Sequence, residues 1–256
     1  MVSEKYAVVL AAGKGTRMKS DLPKVLMEVA EKPMIHHVLE NLFHIDLEKI
    51  LIVVGYKKEL VEEKTQEFVH QNYPEKSSKI EFVEQKEQLG TAHAFLMTEP
   101  YLSQKRGLVL VTAGDMPLIK TKSFLKLFEL CEVHQTPGSV LGAVLENPTG
   151  YGRFVRNKEG LLEAIIEEKD ADEETKKIKE INTGCYVFRL PGVFHVIKQI
   201  NNHNVQKEYY LPDVIKVYRK QNQFFSVYTL QDSREAFGAN TIDELNELNR
   251  IYYLLK

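Results

Sequence analysis

The stretch Tyr6-Ala7-Val8-Val9-Leu10-Ala11-Ala12-Gly13-Lys14-Gly15-Thr16-Arg17-Met18, with Pro23-Lys24 soon after, decides how this chain is read. Its uninterrupted apolar first half is expected to be a strand buried on both faces. A signal-peptide core looks similar, but Lys14, Arg17 and Lys19 follow at once, so a first strand is the better reading. Open α/β sheets bind ligands where such a strand ends. Small residues at that point let main-chain N–H groups approach a phosphate or a base with no Cβ in the way. Taken alone, Gly13-x-Gly15 is equally a tight strand-to-helix turn. Arg17 and Lys24 tip the balance, because two fixed positive charges on one loop suit a polyphosphate. Two better-known loops do not fit. A Walker A loop ends in Gly-Lys-Ser/Thr, where this chain has Gly15-Thr16-Arg17, and a dinucleotide fingerprint wants a small residue where Met18 stands.

Working outward, short apolar runs predict further strands at Lys49–Gly55, Ile80–Gln85, Leu108–Gly114 and Ser139–Leu145. Helical spacing over Pro33–His44, Lys58–Gln71, Thr91–Thr98 and Lys122–His134 separates them, with Pro33 suited to a first helical turn. This alternation predicts an α/β fold: a Rossmann-like, mostly parallel sheet flanked by helices. After Gly150 the rhythm changes. Arg153–Arg156 and Leu161–Glu167 flank Asn157-Lys158-Glu159-Gly160, a hairpin turn. A charged stretch over Glu167–Glu180 leads to a strand at Ile181–Phe188. Helices follow at Pro191–Ile200 and Tyr210–Gln221, a strand at Phe224–Leu230 and a closing helix at Thr241–Leu255. With no proline- or glycine-rich linker, residues 1–256 read as one domain. About 1–150 form its nucleotide-binding half, about 151–235 a smaller β-containing lobe, and 236–256 a closing turn and helix.

The 256 residues carry a formal net charge of -2, which argues against broad binding to duplex nucleic acid. No stretch is long and apolar enough to span a membrane. The two cysteines, Cys131 and Cys185, make neither a disulfide framework nor a zinc site, so a reducing cytoplasmic setting is expected. Cys131 and His134 share a helix face without a partner motif, and His36, His37 and His44 read as packing or surface residues.

The loop motif, with Pro23-Lys24 downstream, resembles the sugar-phosphate nucleotidyltransferases. Further segments resemble the uridyltransferase domain of the bacterial N-acetylglucosamine-1-phosphate uridyltransferases. These are Gln85–Ala94, Gly114-Asp115-Met116-Pro117-Leu118, Pro148–Arg153, Ile166–Ala171, Glu180–Gly184 and Glu208–Asp213. The resemblance runs in order from Leu10 to Asn240 and implies the nucleotide-diphospho-sugar transferase fold. Three positions depart from the usual pattern: Ala113 stands where an aromatic is common, Glu168 where histidine is, and Pro212 where threonine is. The resembling enzymes also carry a hexapeptide-repeat acetyltransferase domain, and no such repeat is legible in these residues.

What the resemblance implies can be stated residue by residue. Leu10, Ala11, Ala12, Gly13 and Gly15 would hold the nucleotide through main chain, and Gln85, Gly90 and Thr91 would form the uracil pocket. Arg17 and Lys24 would act in catalysis by engaging the phosphates. Asp115 and Asn240 would ligate Mg2+, a hard cation that wants oxygen donors. Each has a plainer reading beside it, since Asp115 and Asn240 both suit helix N-caps and Gln85 suits a strand end. Gly152, Glu167 and Asn182, with Tyr210 and Lys169, would bind the sugar phosphate, although most of Glu167–Lys179 reads as a solvated charged segment. The implied partners are UTP and N-acetylglucosamine 1-phosphate, and the oligomeric state is not legible. Two other readings stay open: the same chemistry on glucose 1-phosphate or dTTP, and a regulatory module that binds a nucleotide sugar without turning it over.

Overall fold

The computed structural model describes residues 3–18 and 20–255, so Lys19 and the chain ends lie outside the described residues. β1 (Lys5–Ala11) opens the chain. A small hairpin of β2 (Glu28–Val29) and β3 (Lys32–Pro33) leads into α1 (Met34–Phe43). β4 (Lys49–Val54), α2 (Lys58–Asn72), β5 (Ile80–Glu84), α3 (Thr91–Leu96) and the one-turn α4 (Glu99–Leu102) come next. β6 (Gly107–Ala113), α5 (Thr121–Val133) and β7 (Gly138–Val144) complete the first half. The second half holds β8 (Arg153–Arg156), β9 (Leu162–Ile166), the one-turn α6 (Glu173–Lys176), β10 (Glu180–Leu190) and α7 (Gly192–Ile197). It ends with α8 (Asp213–Lys220), β11 (Ser226–Thr229) and α9 (Ile242–Leu254).

The main sheet runs β11-β7-β10-β6-β1-β4-β5, with the β8–β9 hairpin attached through β10. β1 pairs in parallel with β4 on one side and β6 on the other. Successive β1 residues feed opposite faces, as the two-residue strand period requires. Ala7, Val9 and Ala11 join the core under α1, α2 and α5, while Tyr6 and Val8 join the core under α3, α7 and α8. A third, smaller cluster seats Leu245, Leu248 and Ile251 of α9 against Val29 and Met34. Burial of each such aliphatic side chain contributes about 1.5–3 kcal/mol. Among the described residues no helix is long and apolar enough to cross a membrane.

The mostly parallel sheet is as expected, but its order was not legible. β10 lies antiparallel between β6 and β7, two strands that follow one another in the chain. It buries Ile181, Cys185 and Val187 toward one face and Tyr186 and Phe188 toward the other. A strand apolar on both faces needs neighbours on both edges, and local sequence does not say which. Helix α8 begins at Asp213, three residues later than predicted, because the main chain at Tyr209 and Leu211 is already bonded to residues 89–92. Pro33 caps α1 in an extended conformation rather than entering its first turn. The β2–β3 hairpin turns on Ala30 and Glu31 with φ of 49° and 61°, so the usual Asn-Gly signal is missing.

Candidate active site

The chain runs from β1 out to β4 and β5 and then returns to β6 on the other flank of β1. The carboxyl ends of β1 and β6, in register at Leu10 and Ala113, therefore form a topological switch point, where open α/β sheets bind ligands. A cavity of about 410 Å³ opens there. Leu10, Ala11, Ala12, Gly13, Gly15, Lys24, Gln85, Gly90, Thr91 and Asp115 all line it, together with Ala113. The loop after β1 is held from two sides, by the Tyr56 N–H donating to Ala12 O (3.1 Å) and the Met18 N–H donating to Gly15 O (2.9 Å). Gly15 has φ +64°, and a Cβ there would lie 2.6 Å from Lys24 Cβ. Only glycine satisfies both the conformation and the close approach.

In this cavity, Gln85 is buried beyond the last residue of β5. Its Nε2 lies 3.2 Å from Gly90 O and 3.0 Å from His93 Nδ1. Thr91 turns its hydroxyl oxygen to accept from the Leu211 N–H (3.0 Å), so it shapes the pocket wall by holding the 208–211 segment. Gly90, at φ +111°, passes so close to Tyr209 that a Cβ would meet its carbonyl oxygen at 2.5 Å.

Beside the glycine loop, Lys24 Nζ lies 2.5 Å from Asp115 Oδ2 and donates to Asn240 Oδ1 (2.8 Å). The exposed Arg17 donates to the same Asn240 oxygen (2.9 Å). Four residues 223 positions apart at their extremes thus meet at one point. Asn240 is not the helix cap that its local sequence allows. Thr241 caps α9, its oxygen accepting from the Glu244 N–H, while Glu244 reaches back to accept from the Asn240 N–H (2.6 Å). Among the described residues no cluster of three or more His, Cys, Asp or Glu could hold a metal. The pair Asp115 Oδ2 and Asn240 Oδ1 nevertheless has the chemistry to hold a divalent cation. Both are hard oxygen donors, and a cation (the Lys24 ammonium) already stands between them.

The residues expected to bind the sugar come mainly from the region of β8, β9 and β10. The Asn182 N–H donates to Gly152 O (2.8 Å), and Glu167 Oε1 lies 3.0 Å from where a Gly152 Cβ would sit. Asn182 Oδ1 accepts from Gly184 N–H and Tyr186 O–H, both at 3.0 Å. Glu167 and Tyr210 line a second cavity of about 210 Å³ with Asp170 and Asp213. Burial first, then the charges of Asp170 and Asp213, push the Glu167 carboxyl up to about 7, against the opposing pull of Arg153. Burial likewise raises the Tyr210 hydroxyl. Lys169 is exposed on the turn 168–170 and lines neither cavity. The unexpected Glu168 pairs with the buried Arg153 (2.6 Å).

Reading the sequence assigned no role to His93, Glu208, Asp170 or Asp213. His93 touches Gln85, Glu208 lines the first cavity, and the two aspartates face the second cavity with Glu167. All four lie inside quoted motifs, but nothing in their spacing shows which neighbour each one meets.

The family model described as Nucleotidyl transferase matches residues 6–233. The bifunctional protein GlmU of Listeria welshimeri is 42% identical over 250 residues, 98% of this chain and 52% of that protein. GlmU of Streptococcus gordonii is 46% identical over 235 residues, 92% of this chain and 49% of that protein. The chain therefore spans about half the length of the curated relatives it matches. A solved UDP-glucose pyrophosphorylase complexed with UDP-glucose shares the fold, with TM-score 0.77 over 100% of both chains at 19% identity. The family match and these identities extend over nearly all of the chain, and the chain belongs to the nucleotidyl transferase family.

Proposed function

We propose that this chain transfers the uridylyl group of UTP to N-acetylglucosamine 1-phosphate, yielding UDP-N-acetylglucosamine and pyrophosphate. The observation that carries the reading is the meeting of Arg17, Lys24, Asp115 and Asn240 beside the glycine loop, at the switch point of the sheet. Family membership supports the reaction class, and the resemblance of Glu180–Gly184 and Glu208–Asp213 to the uridyltransferase domain supports the sugar. In this reading residues up to about 150 bind the nucleotide, about 151–235 the sugar, and 236–256 close the phosphate end. The free, buried thiols of Cys131 and Cys185 suit the reducing cytoplasm.

The main chain of Ala12–Gly15 and the Gln85 pocket orient the nucleotide, and Gly152, Glu167 and Asn182 orient the sugar. A phosphate oxygen of the sugar 1-phosphate attacks the α-phosphorus of UTP. The new P–O bond forms as the bond to the bridging oxygen breaks, and the electron pair leaves with pyrophosphate. That nucleophile is already anionic near neutral pH, so no general base is needed. Orientation of the two reactants contributes on the order of 7–11 kcal/mol. Arg17 and Lys24 neutralise charge that builds on the departing phosphates. Asp115 and Asn240 would hold magnesium, which when bound adds further charge neutralisation on the triphosphate.

Pyrophosphate release from UTP and N-acetylglucosamine 1-phosphate, with and without magnesium, tests this, with glucose 1-phosphate and dTTP as competitors. Magnesium-dependent turnover selective for UTP and the N-acetylated sugar, lost in Asp115→Ala, is the expected result. Binding of UDP-N-acetylglucosamine without turnover of any pair would overturn it in favour of a regulatory module.

A further inference from the structure

The side-chain amide of Gln85 is held so that it offers a base one kind of hydrogen bond. The atom 3.2 Å from Gly90 O must be the amide nitrogen, since a carbonyl oxygen can only accept. The same nitrogen lies 3.0 Å from His93 Nδ1. If Nδ1 keeps its lone pair and the ring hydrogen sits on Nε2, both Gln85 N–H groups are used, one by Gly90 O and one by His93. What remains for a ligand in the cavity is Gln85 Oε1, an acceptor. Gly90, the N-cap of α3, and His93 in its first turn stand three residues apart, so one short rigid element supplies both holds.

We propose that His93 is a positioning residue that sets base selectivity, by locking the Gln85 amide with its oxygen toward the base and so admitting uracil and refusing cytosine. This deepens the uridylyl-transfer reading and rests on the base lying at Gln85. Uracil carries a hydrogen on N3 and can donate to Gln85 Oε1. Cytosine has a lone pair at N3, which would face that oxygen acceptor to acceptor and leave both buried groups without a partner. Thymine carries the same N3 hydrogen, so the lock does not separate UTP from dTTP. A histidine at this place serves better than a carboxamide, because it cannot rotate to exchange acceptor for donor without changing tautomer.

Calorimetric titration with UDP, CDP and dTDP tests this on the wild-type chain, His93→Phe and His93→Gln. Wild type is expected to bind UDP and dTDP at least tenfold more tightly than CDP. His93→Phe, which can no longer accept, should lose roughly tenfold of that ratio. His93→Gln, which offers an acceptor again, should recover most of it. A His93→Phe variant that melts as wild type does and keeps the full UDP/CDP ratio would overturn the proposal. In wild-type protein, 15N imidazole spectra should show a lone-pair Nδ1 at His93, and a protonated Nδ1 would also overturn it without any variant. If UDP selectivity collapses in His93→Phe while UTP and the sugar phosphate give no turnover, the uridylyl-transfer reading fails and the lock stands. If wild type binds UDP and CDP alike, both fall.

Discussion

Glu167 is a carboxylic acid whose chemistry departs from what its side-chain type suggests. Its carboxyl titrates at about 7 instead of 4.5, mainly through burial. Between these values the folded state holds a proton that the unfolded state has released, so stability falls as pH rises. The contribution is fully present below about 4.5 and lost as pH passes through about 7. The full loss would be about 3 kcal/mol, and residual solvent access brings it nearer ~2 kcal/mol. Glu167→Gln is therefore expected to be about as stable as wild type at the acid end and about 2 kcal/mol more stable at pH 8, by urea unfolding. Its affinity for the sugar phosphate should fall at the same time, because the amide cannot replace a carboxylate as a double acceptor. The neighbouring Glu168 has a structural task of its own, since it neutralises Arg153, which is only 1% exposed.

Among the elements, the first turn of α3 governs the pocket. Its main chain and Thr91 tie down the 208–211 segment, and its N-cap Gly90 and His93 hold Gln85. Gly90→Ala puts a Cβ 2.5 Å from Tyr209 O at φ +111°, so it is expected to cost about 1–3 kcal/mol and to weaken UDP binding. A thermal melt and a UDP titration check the two effects separately. Most elements could be read from sequence, because hydrophobic period reports burial locally. The start of α8 could not. Tyr210 stands before the helix it was expected to join, because the tertiary bonds of Tyr209 and Leu211 with residues 89–92 outweigh helical spacing.

The whole molecule depends on β10. It joins β6 to β7, and it carries Asn182. Phe188, fully buried, stacks on Phe95 (5.6 Å between centroids) and on Tyr186 (5.5 Å). Phe188→Ala is expected to cost about 3–5 kcal/mol. Far-UV circular dichroism and loss of UDP binding should follow one urea transition, because the strand belongs to the sheet that forms the pocket. Sequence alone determined the class of fold, the glycine loop with its two cations and the list of candidate site residues. It did so because burial on a strand and freedom at a glycine are local properties. Only the tertiary structure decided that β10 lies between β6 and β7. It also decided that Asn240 meets Lys24 and Arg17 rather than capping α9, that Lys169 stands apart, and that His93 bonds Gln85. Those outcomes depend on which distant surfaces bury each other, and that is a property of the packed chain rather than of any segment.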